Sequence, residues 1–101
     1  MKFIIKKISL ENTPELMRKA RYKYMGQSGE QMSFVRSVSQ NPYPRFHVYL
    51  KDNKETKQVF FTLHLDQKRI SYKGSTAHSG DYDGDLMTEE AQRVKEFFEK
   101  R

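Results

Sequence analysis

Three histidines and a set of aspartates are the residues of this sequence whose chemistry suits metal binding or proton transfer. The histidines are His47, His64 and His78. If neighbouring strands bring His47 and His64 side by side, Asp66 lies one strand step beyond them, and a folded-over loop can add His78 and Asp81. Imidazole and carboxylate groups bind zinc and act as acids and bases at phosphodiesters. These residues therefore define one hypothesis, a metal-dependent hydrolase or nuclease.

The stretch TAHSGDYDGD, at residues 76–85, also has a purely structural interpretation. Its aspartates alternate as in a calcium-binding loop, but the turn glycine comes too early, at Gly84, and Gln92 stands where a bidentate Glu is required. Acidic side chains at the start of a helix stabilise it by about 0.3 to 1 kcal/mol each. We therefore interpret the stretch as a capping loop before a C-terminal helix, in which His78 has no assigned role.

Hydrophobic periodicity predicts the elements that position these side chains. They are a strand at residues 2–10, a helix at 14–25, strands at 32–38, 45–51 and 59–66, an optional edge strand at 68–73, and a helix that begins at 85 or 88 and ends near 100. Thr13 is the expected N-cap of the first helix, and Pro14 suits its first turn. The polar side of that helix includes Tyr22. Its apolar side consists of Leu16, Met17, Ala20 and Tyr24.

The strands at 45–51 and 59–66 form the clearest predicted unit, a hairpin. Alternate residues of a strand share one face, so the apolar residues of the hairpin lie together: Phe46, Val48, Leu50, Val59, Phe61, Leu63 and Leu65. Each helix also has a single apolar stripe, and packing both helices on this face buries all the apolar surfaces. The predicted fold is α+β, in the order β-α-β-β-β(-β)-α, with two helices on one face of an antiparallel sheet. We expect a single domain over residues 1–101.

The opposite face of this predicted sheet carries alternating basic and aromatic residues. Its outward residues are Arg45, His47, Tyr49, Lys51, Phe60, Thr62, His64 and Asp66. Bases stack on aromatic rings and cations contact phosphates, so such a face suits single-stranded RNA or DNA. Arg18 and Arg21 of the first helix, together with Lys19 and Lys23, offer a second basic strip. The same residue types also favour exposed strands without any ligand, because they form stabilising cross-strand pairs.

Composition places the chain among ordinary globular domains with a basic character. Its 101 residues are 36% hydrophobic and 32% charged, which suits one domain with one modest core. The absence of cysteine excludes disulfides, thiolate zinc sites and cysteine nucleophiles. The segment MKFIIKKISL is too charged for a signal peptide or a membrane span, so we expect a soluble, cytoplasmic protein. A net charge of +6 favours polyanionic partners.

Three segments resemble those of small uncharacterised prokaryotic proteins of similar length: YPRFHVYLK (43–51), FTLHLDQK (61–68) and AHSGDYDG (77–84). The resemblance covers roughly the C-terminal two thirds of the chain and implies no activity. The order helix, three strands, helix is similar to that of double-stranded RNA-binding domains and of small toxin interferases. The signature residues of neither family are present, so no role is carried over to this chain.

The leading hypothesis from the sequence is a small module that binds nucleic acid, RNA in preference to DNA, with no catalytic step and no cofactor. Its expected contact residues are Arg45, His47, Tyr49, Lys51, Phe60, His64, Arg18 and Arg21. The metal-dependent hydrolase is the alternative from another class. A third hypothesis is a protein-interaction or homodimer module that uses the sheet as its interface.

Overall fold

The computed structural model describes residues 1–67 and 84–100. Along the chain these residues form β1 (Lys2–Lys6), α1 (Thr13–Lys19), β2 (Lys23–Ser28), β3 (Gln31–Ser37), β4 (Arg45–Asn53), β5 (Gln58–Asp66) and α2 (Gly84–Glu99). The predicted α+β fold is confirmed, with one strand, β2, that the sequence analysis did not place. The predicted edge strand at 68–73 lies outside the described residues, as do His78, Asp81 and Asp83 of the predicted capping loop.

The five strands form one antiparallel sheet in the order β1-β5-β4-β3-β2. Short turns join β2 to β3 and β4 to β5, while β3 pairs with β4 along its whole length. The first strand of the chain lies at the far edge, where it pairs with β5. As a result β4 and β5, which carry most of the predicted site residues, each have hydrogen-bonded neighbours on both sides.

Both helices pack on one face of the sheet, as predicted. The strands contribute Ile5, Phe34, Phe46, Val48, Leu50, Val59, Phe61 and Leu63 to the core, and the helices contribute Leu16, Met17, Ala91, Val94 and Phe98. Within it, Phe61 stacks on Phe3 with 5.0 Å between ring centroids and meets the edge of Phe98 at 5.4 Å. Burying one such large apolar side chain stabilises the fold by about 1.5 to 3 kcal/mol. Because side chains alternate along a strand, this core also determines which residues of β4 and β5 point away from the helices.

The first helix is shorter than the sequence predicts. It ends at Lys19 instead of Met25, with Ala20 as its C-cap. Arg21 then adopts a positive φ of 76°, which turns the chain away from the helical path. The residues that follow pair with β3 as an edge strand, so their backbone groups are satisfied by the sheet instead of by a longer helix.

Tyr22 and Tyr24 occupy the opposite environments from those that helical periodicity predicts. Tyr22 is 4% exposed, whereas Tyr24 is 51% exposed. The Tyr22 hydroxyl donates a hydrogen bond of 2.6 Å to Oε2 of Glu90, a buried carboxylate in α2. Arg93 donates to the two oxygens of Glu90 at 2.9 and 3.0 Å and to the carbonyl oxygen of Ala20 at 2.6 Å. This polar network joins α2 to the segment that follows α1.

The cap of α1 is Asn12 and not the predicted Thr13. The Oδ1 atom of Asn12 accepts a hydrogen bond of 2.8 Å from the backbone N–H of Glu15. Thr13 is the first residue of the helix, and its hydroxyl donates to Asp52 of β4 at 2.5 Å. The polar residue at position 13 therefore connects the helix to the sheet.

The second helix begins at Gly84, before either predicted cap, Asp85 or Thr88. Its buried residues include Ala91, Val94 and Phe98, as its periodicity predicts. In the part of the chain that the structure describes, no helix is both long enough and apolar enough to cross a membrane.

Candidate functional site

The side of the sheet that faces away from the helices carries the predicted site residues of β4 and β5. We call this side the open face, because within residues 1–67 and 84–100 both helices pack on the other side. Its side chains come from alternate positions of the strands: Lys2, Ile4, Lys6, Lys23, Ser33, Val35, Arg45, His47, Tyr49, Lys51, Phe60, Thr62, His64 and Asp66. The geometry expected for Arg45, His47, Tyr49, Lys51, Phe60 and His64 is confirmed.

Aromatic rings run along the middle of the open face. His47 stacks on Tyr49 with 4.4 Å between ring centroids, and Tyr49 meets the edge of His64 at 5.8 Å. Phe60 lies farther along β5 and is 38% exposed. Its register partner on β1, Ile4, is 55% exposed. The face therefore offers aromatic and apolar surface that the described elements leave accessible.

Positive charge dominates the open face in the described part of the chain. Three lysines at its edges take part in no ion pair between described residues: Lys2, Lys6 and Lys23. Lys51 approaches Glu30 of the β2–β3 turn at 3.6 Å, in a pair that is well exposed to solvent. Among the described residues of this face, Asp66 is the acidic one. A polyanion approaching the open face therefore meets a cationic surface.

A groove with a volume of about 1120 Å³ continues from the Phe60 end of the open face. Its lining reaches the start of α1 and includes Lys7, Lys51, Lys54 and Lys57, which outnumber the acidic Glu30 and Asp52. Phe60 and Lys51 belong to both surfaces. An extended ligand on the face therefore has a cationic path along which to continue.

The side chains of Ser33, His47 and Asp66 form a continuous hydrogen-bonded chain across β3, β4 and β5. Oγ of Ser33 lies 2.8 Å from Nε2 of His47, and Nδ1 of His47 lies 3.0 Å from Oδ2 of Asp66. Arg45 donates through Nε to the same Asp66 oxygen at 3.2 Å, and its guanidinium lies 4.9 Å from the Tyr43 ring centroid. An ionised carboxylate, such as that of Asp66, can only accept hydrogen bonds. Nδ1 of neutral His47 therefore carries the proton, and Nε2 accepts from the Ser33 hydroxyl.

Ser33 is the member of this group that the sequence analysis did not identify as a site residue. No local motif surrounds it. It reaches His47 because the register of β3 and β4 places it opposite Tyr49, one diagonal step from His47. The alternation of Ser33 and Ser37 with apolar residues indicates the polar side of β3, but only the register shows which neighbour Ser33 contacts.

His47 and His64 are register partners, as the hydrolase hypothesis requires. Partial burial lowers the pKa of His64, the positive N-terminal ammonium and His47 lower it further, and Asp66 acts in the opposite direction. Within the described residues, no cluster of three or more histidine, cysteine or acidic side chains is arranged to hold a metal ion. His78 and Asp81 lie outside those residues, so the structure tests only the pairing of the first two histidines.

Arg18 and Arg21 lie on the helical side of the sheet. Arg18 belongs to α1 and forms an ion pair with Glu15. The hydrogen bond between them raises the pKa of Arg18 and lowers the pKa of Glu15. Arg21 is in the turn between α1 and β2. The predicted second basic strip is therefore divided: Arg18 lies away from the open face, whereas Lys23 lies at the edge of the open face itself.

Comparisons with protein-family models, curated proteins and solved structures found no match to this chain. The resemblance of three segments to small prokaryotic proteins stays a prediction. The function is therefore argued from the open face.

Proposed function

We propose that this protein binds single-stranded RNA on its open face. The observation that carries the proposal is the exposed ring of Phe60, on the same face as the rings of Tyr49 and His64, between lysines that have no ion-pair partner among the described residues. Stacking on the rings and contact between lysines and phosphates are the two interactions on which sequence-tolerant binding of single strands depends.

The rings are arranged to receive unpaired bases. Phe60 has freely available ring surface, because it is 38% exposed, and its exposed neighbour Ile4 adds apolar surface beside it. A base stacked on such a ring contributes about 1 to 3 kcal/mol to binding. Bases inside a duplex are already stacked on one another, so the face favours single strands over double strands.

The lysines are placed to follow a phosphate backbone. Lys2 and Lys6 flank the rings on β1, and Lys23 stands at the opposite edge on β2. Each phosphate that a lysine neutralises releases condensed counterions, which makes the affinity depend on salt. The groove beyond Phe60 extends this cationic track.

Polar side chains beside and beyond the rings favour RNA over DNA. Thr62 lies opposite Tyr49, and Asn53 lies opposite Gln58 at the end of the hairpin. Hydroxyl and amide groups of this kind form hydrogen bonds with a ribose 2′-hydroxyl, which DNA lacks.

The proposal is tested by fluorescence anisotropy with a short labelled single-stranded RNA of mixed sequence, and with DNA of the same sequence. Three lysine–phosphate contacts predict that the logarithm of the binding constant falls with the logarithm of the salt concentration with a slope of about −2. Replacing Lys6 by Ala should reduce that slope by about 0.7. Lys100→Ala, which removes the same charge after α2, should leave the slope unchanged.

Phe60→Ala tests the stacking contribution. We expect a loss of about 1 to 3 kcal/mol in binding, because one base loses its platform. Tyr24→Ala is the matched control, since Tyr24 is an exposed ring on the helical side of the sheet and should have no effect. Equal losses in both variants, binding that ignores salt, or no binding at micromolar protein would contradict the proposal.

A further inference from the structure

The hydrogen-bonded chain of Ser33, His47 and Asp66 contains a nucleophile, a base and a carboxylate in sequence. Its distances of 2.8 and 3.0 Å are within the range in which a histidine takes a proton from a hydroxyl while a carboxylate holds the ring. A base for Ser33 must have an unprotonated nitrogen beside the hydroxyl. Neutral His47 with its proton on Nδ1 presents such a nitrogen, Nε2, to Ser33. Nothing in the nucleic-acid proposal uses this arrangement.

His47 itself has little access to a ligand. Its side chain is 16% exposed, Tyr49 covers one side of the ring, and both ring nitrogens have hydrogen-bond partners. Before reaction, Nε2 of His47 is therefore occupied by the Ser33 hydroxyl, which makes Ser33 the group that meets a substrate first.

Ser33 is accessible from the β2 side. Its register partner is Gly26, which has no side chain, and the ladder shifts register just before that glycine. A Cβ built on Gly26 would have no neighbour within 4 Å, so protein atoms leave space there. Bulges of this kind often accompany active sites, where they alter the direction of neighbouring side chains.

We infer that Ser33 is a nucleophile and that this protein hydrolyses carboxylic esters. Oγ of Ser33 attacks the ester carbonyl carbon, and its proton moves to Nε2 of His47. The carbon–oxygen bond to the leaving group then breaks, and His47 returns the proton to that oxygen, which leaves an acyl-Ser33. Water attacks the acyl carbon as His47 takes its proton, and Ser33 recovers a proton as the carboxylic acid departs.

The substrate class follows from what surrounds Ser33. Among the described residues, His47 is the recorded side-chain partner of the Ser33 hydroxyl. Because His47 is the one base that activates Ser33, the acylation step depends on an ester whose leaving group departs readily. Aryl esters meet this requirement, because a phenolate leaves readily. Tyr49, which lies opposite Ser33 and stacks on His47, places aromatic surface beside the aryl group.

The experiment uses the whole chain with p-nitrophenyl acetate. We expect a burst of p-nitrophenolate followed by slower turnover, and acid-quenched protein should carry one acetyl group on Ser33 by tandem mass spectrometry. An alkyl fluorophosphonate probe should label the same residue. Both mapping measurements use the unmodified protein, so they give an answer even if a variant fails to fold.

Variants separate a specific reaction from the general reactivity of surface groups with this ester. Ser33→Ala should abolish the burst, and His47→Gln should lower the acylation rate about 100-fold or more, which is the usual contribution of a general base. Ser37→Ala is the matched control, because Ser37 lies on the same strand and face but opposite Arg45. His64→Gln is a second control, which tests whether a neighbouring histidine of the open face reacts with the ester. Both controls should react like the unmodified protein.

Asp66 acts as a positioning residue, because it holds the imidazole and does not meet the substrate. Asp66→Asn should lower kcat without raising KM, since binding of the ester does not involve residue 66. A parallel change in both constants indicates a general loss of structure instead.

The inference is wrong if neither probe labels Ser33, or if Ser33→Ala keeps the burst. Its outcome is independent of the RNA proposal, since p-nitrophenyl acetate carries no phosphate or base. Failure of RNA binding leaves this test unaffected, and failure of acylation leaves the RNA titration unaffected.

Discussion

His64 is a residue whose titration reports directly on the open face. Its environment lowers its pKa from the ordinary value near 6.5, first through burial and then through the positive charge of the N-terminal ammonium, while Asp66 acts in the opposite direction. We predict that the imidazole signals of His64 in an NMR titration have their midpoint below 6.5. A midpoint at or above 6.5 would show that its surroundings differ from those described.

The lowered pKa also gives the sign of a stability effect. Between the folded and unfolded pKa values, the unfolded chain binds more protons at this position than the folded chain does. The free energy of unfolding therefore falls as the pH drops below about 6.5. His64→Gln should lack this contribution, which urea unfolding at two pH values can measure.

Tyr22 carries a prediction about the buried network. Burial raises the pKa of Tyr22 far above its ordinary value, and the charge of Glu90 acts in the same direction, so the hydroxyl stays protonated and donates. Tyr22→Phe should reduce the free energy of unfolding by about 1.5 to 3 kcal/mol, the range for hydrogen bonds to charged groups. Tyr24→Phe, at an exposed ring, is the control and should have almost no effect. Equal effects of the two variants in urea unfolding would contradict the network.

Single residues differ in how well the sequence predicts their role. His47 and Tyr49 are predictable members of the open face, because the alternation of β4 alone assigns their side. Ser33 is not, because its contact with His47 depends on how β3 aligns with β4. A group of side chains that comes together from several strands leaves no recognisable pattern in the sequence of any one strand.

The elements show the same distinction. The hairpin of β4 and β5 was predicted closely, because two long strands with period-two apolar residues leave one solution for their buried face. Helix α1 was predicted too long, because residues 20–24 are compatible with a helical stripe. Pairing of β2 with β3 decides the outcome, and that pairing is a tertiary interaction that overrides local propensity.

The cap of α1 gives a prediction at the scale of one element. Asn12→Ala should reduce the free energy of unfolding by about 1 kcal/mol, because the N–H of Glu15 loses its acceptor. Ser39→Ala, in the β3–β4 connection, removes another local side-chain acceptor but caps no helix. Urea unfolding should show a clear loss for Asn12→Ala, and an unchanged midpoint in that variant would contradict this assignment of the cap.

At the scale of the whole molecule, the sheet separates two kinds of surface. One side buries the core under both helices, and the other presents rings, lysines and the Ser33–His47–Asp66 chain. The net charge of +6 predicts a polyanionic partner but not its location. The proposed location depends on the fold, because sheet order brings the lysines of β1 and β2 to opposite edges of the same face.

The central claim, that the open face is the surface that binds RNA, is tested most directly by NMR of side-chain signals during titration with single-stranded RNA. We predict that the aromatic signals of Tyr49 and Phe60 and the methyl signals of Ile4 shift progressively. Signals from the opposite side of the molecule, such as those of Tyr24 and Phe97, should stay in place. Shifts centred on Tyr24, Phe97 and α1, or no shifts at all, would contradict the claim.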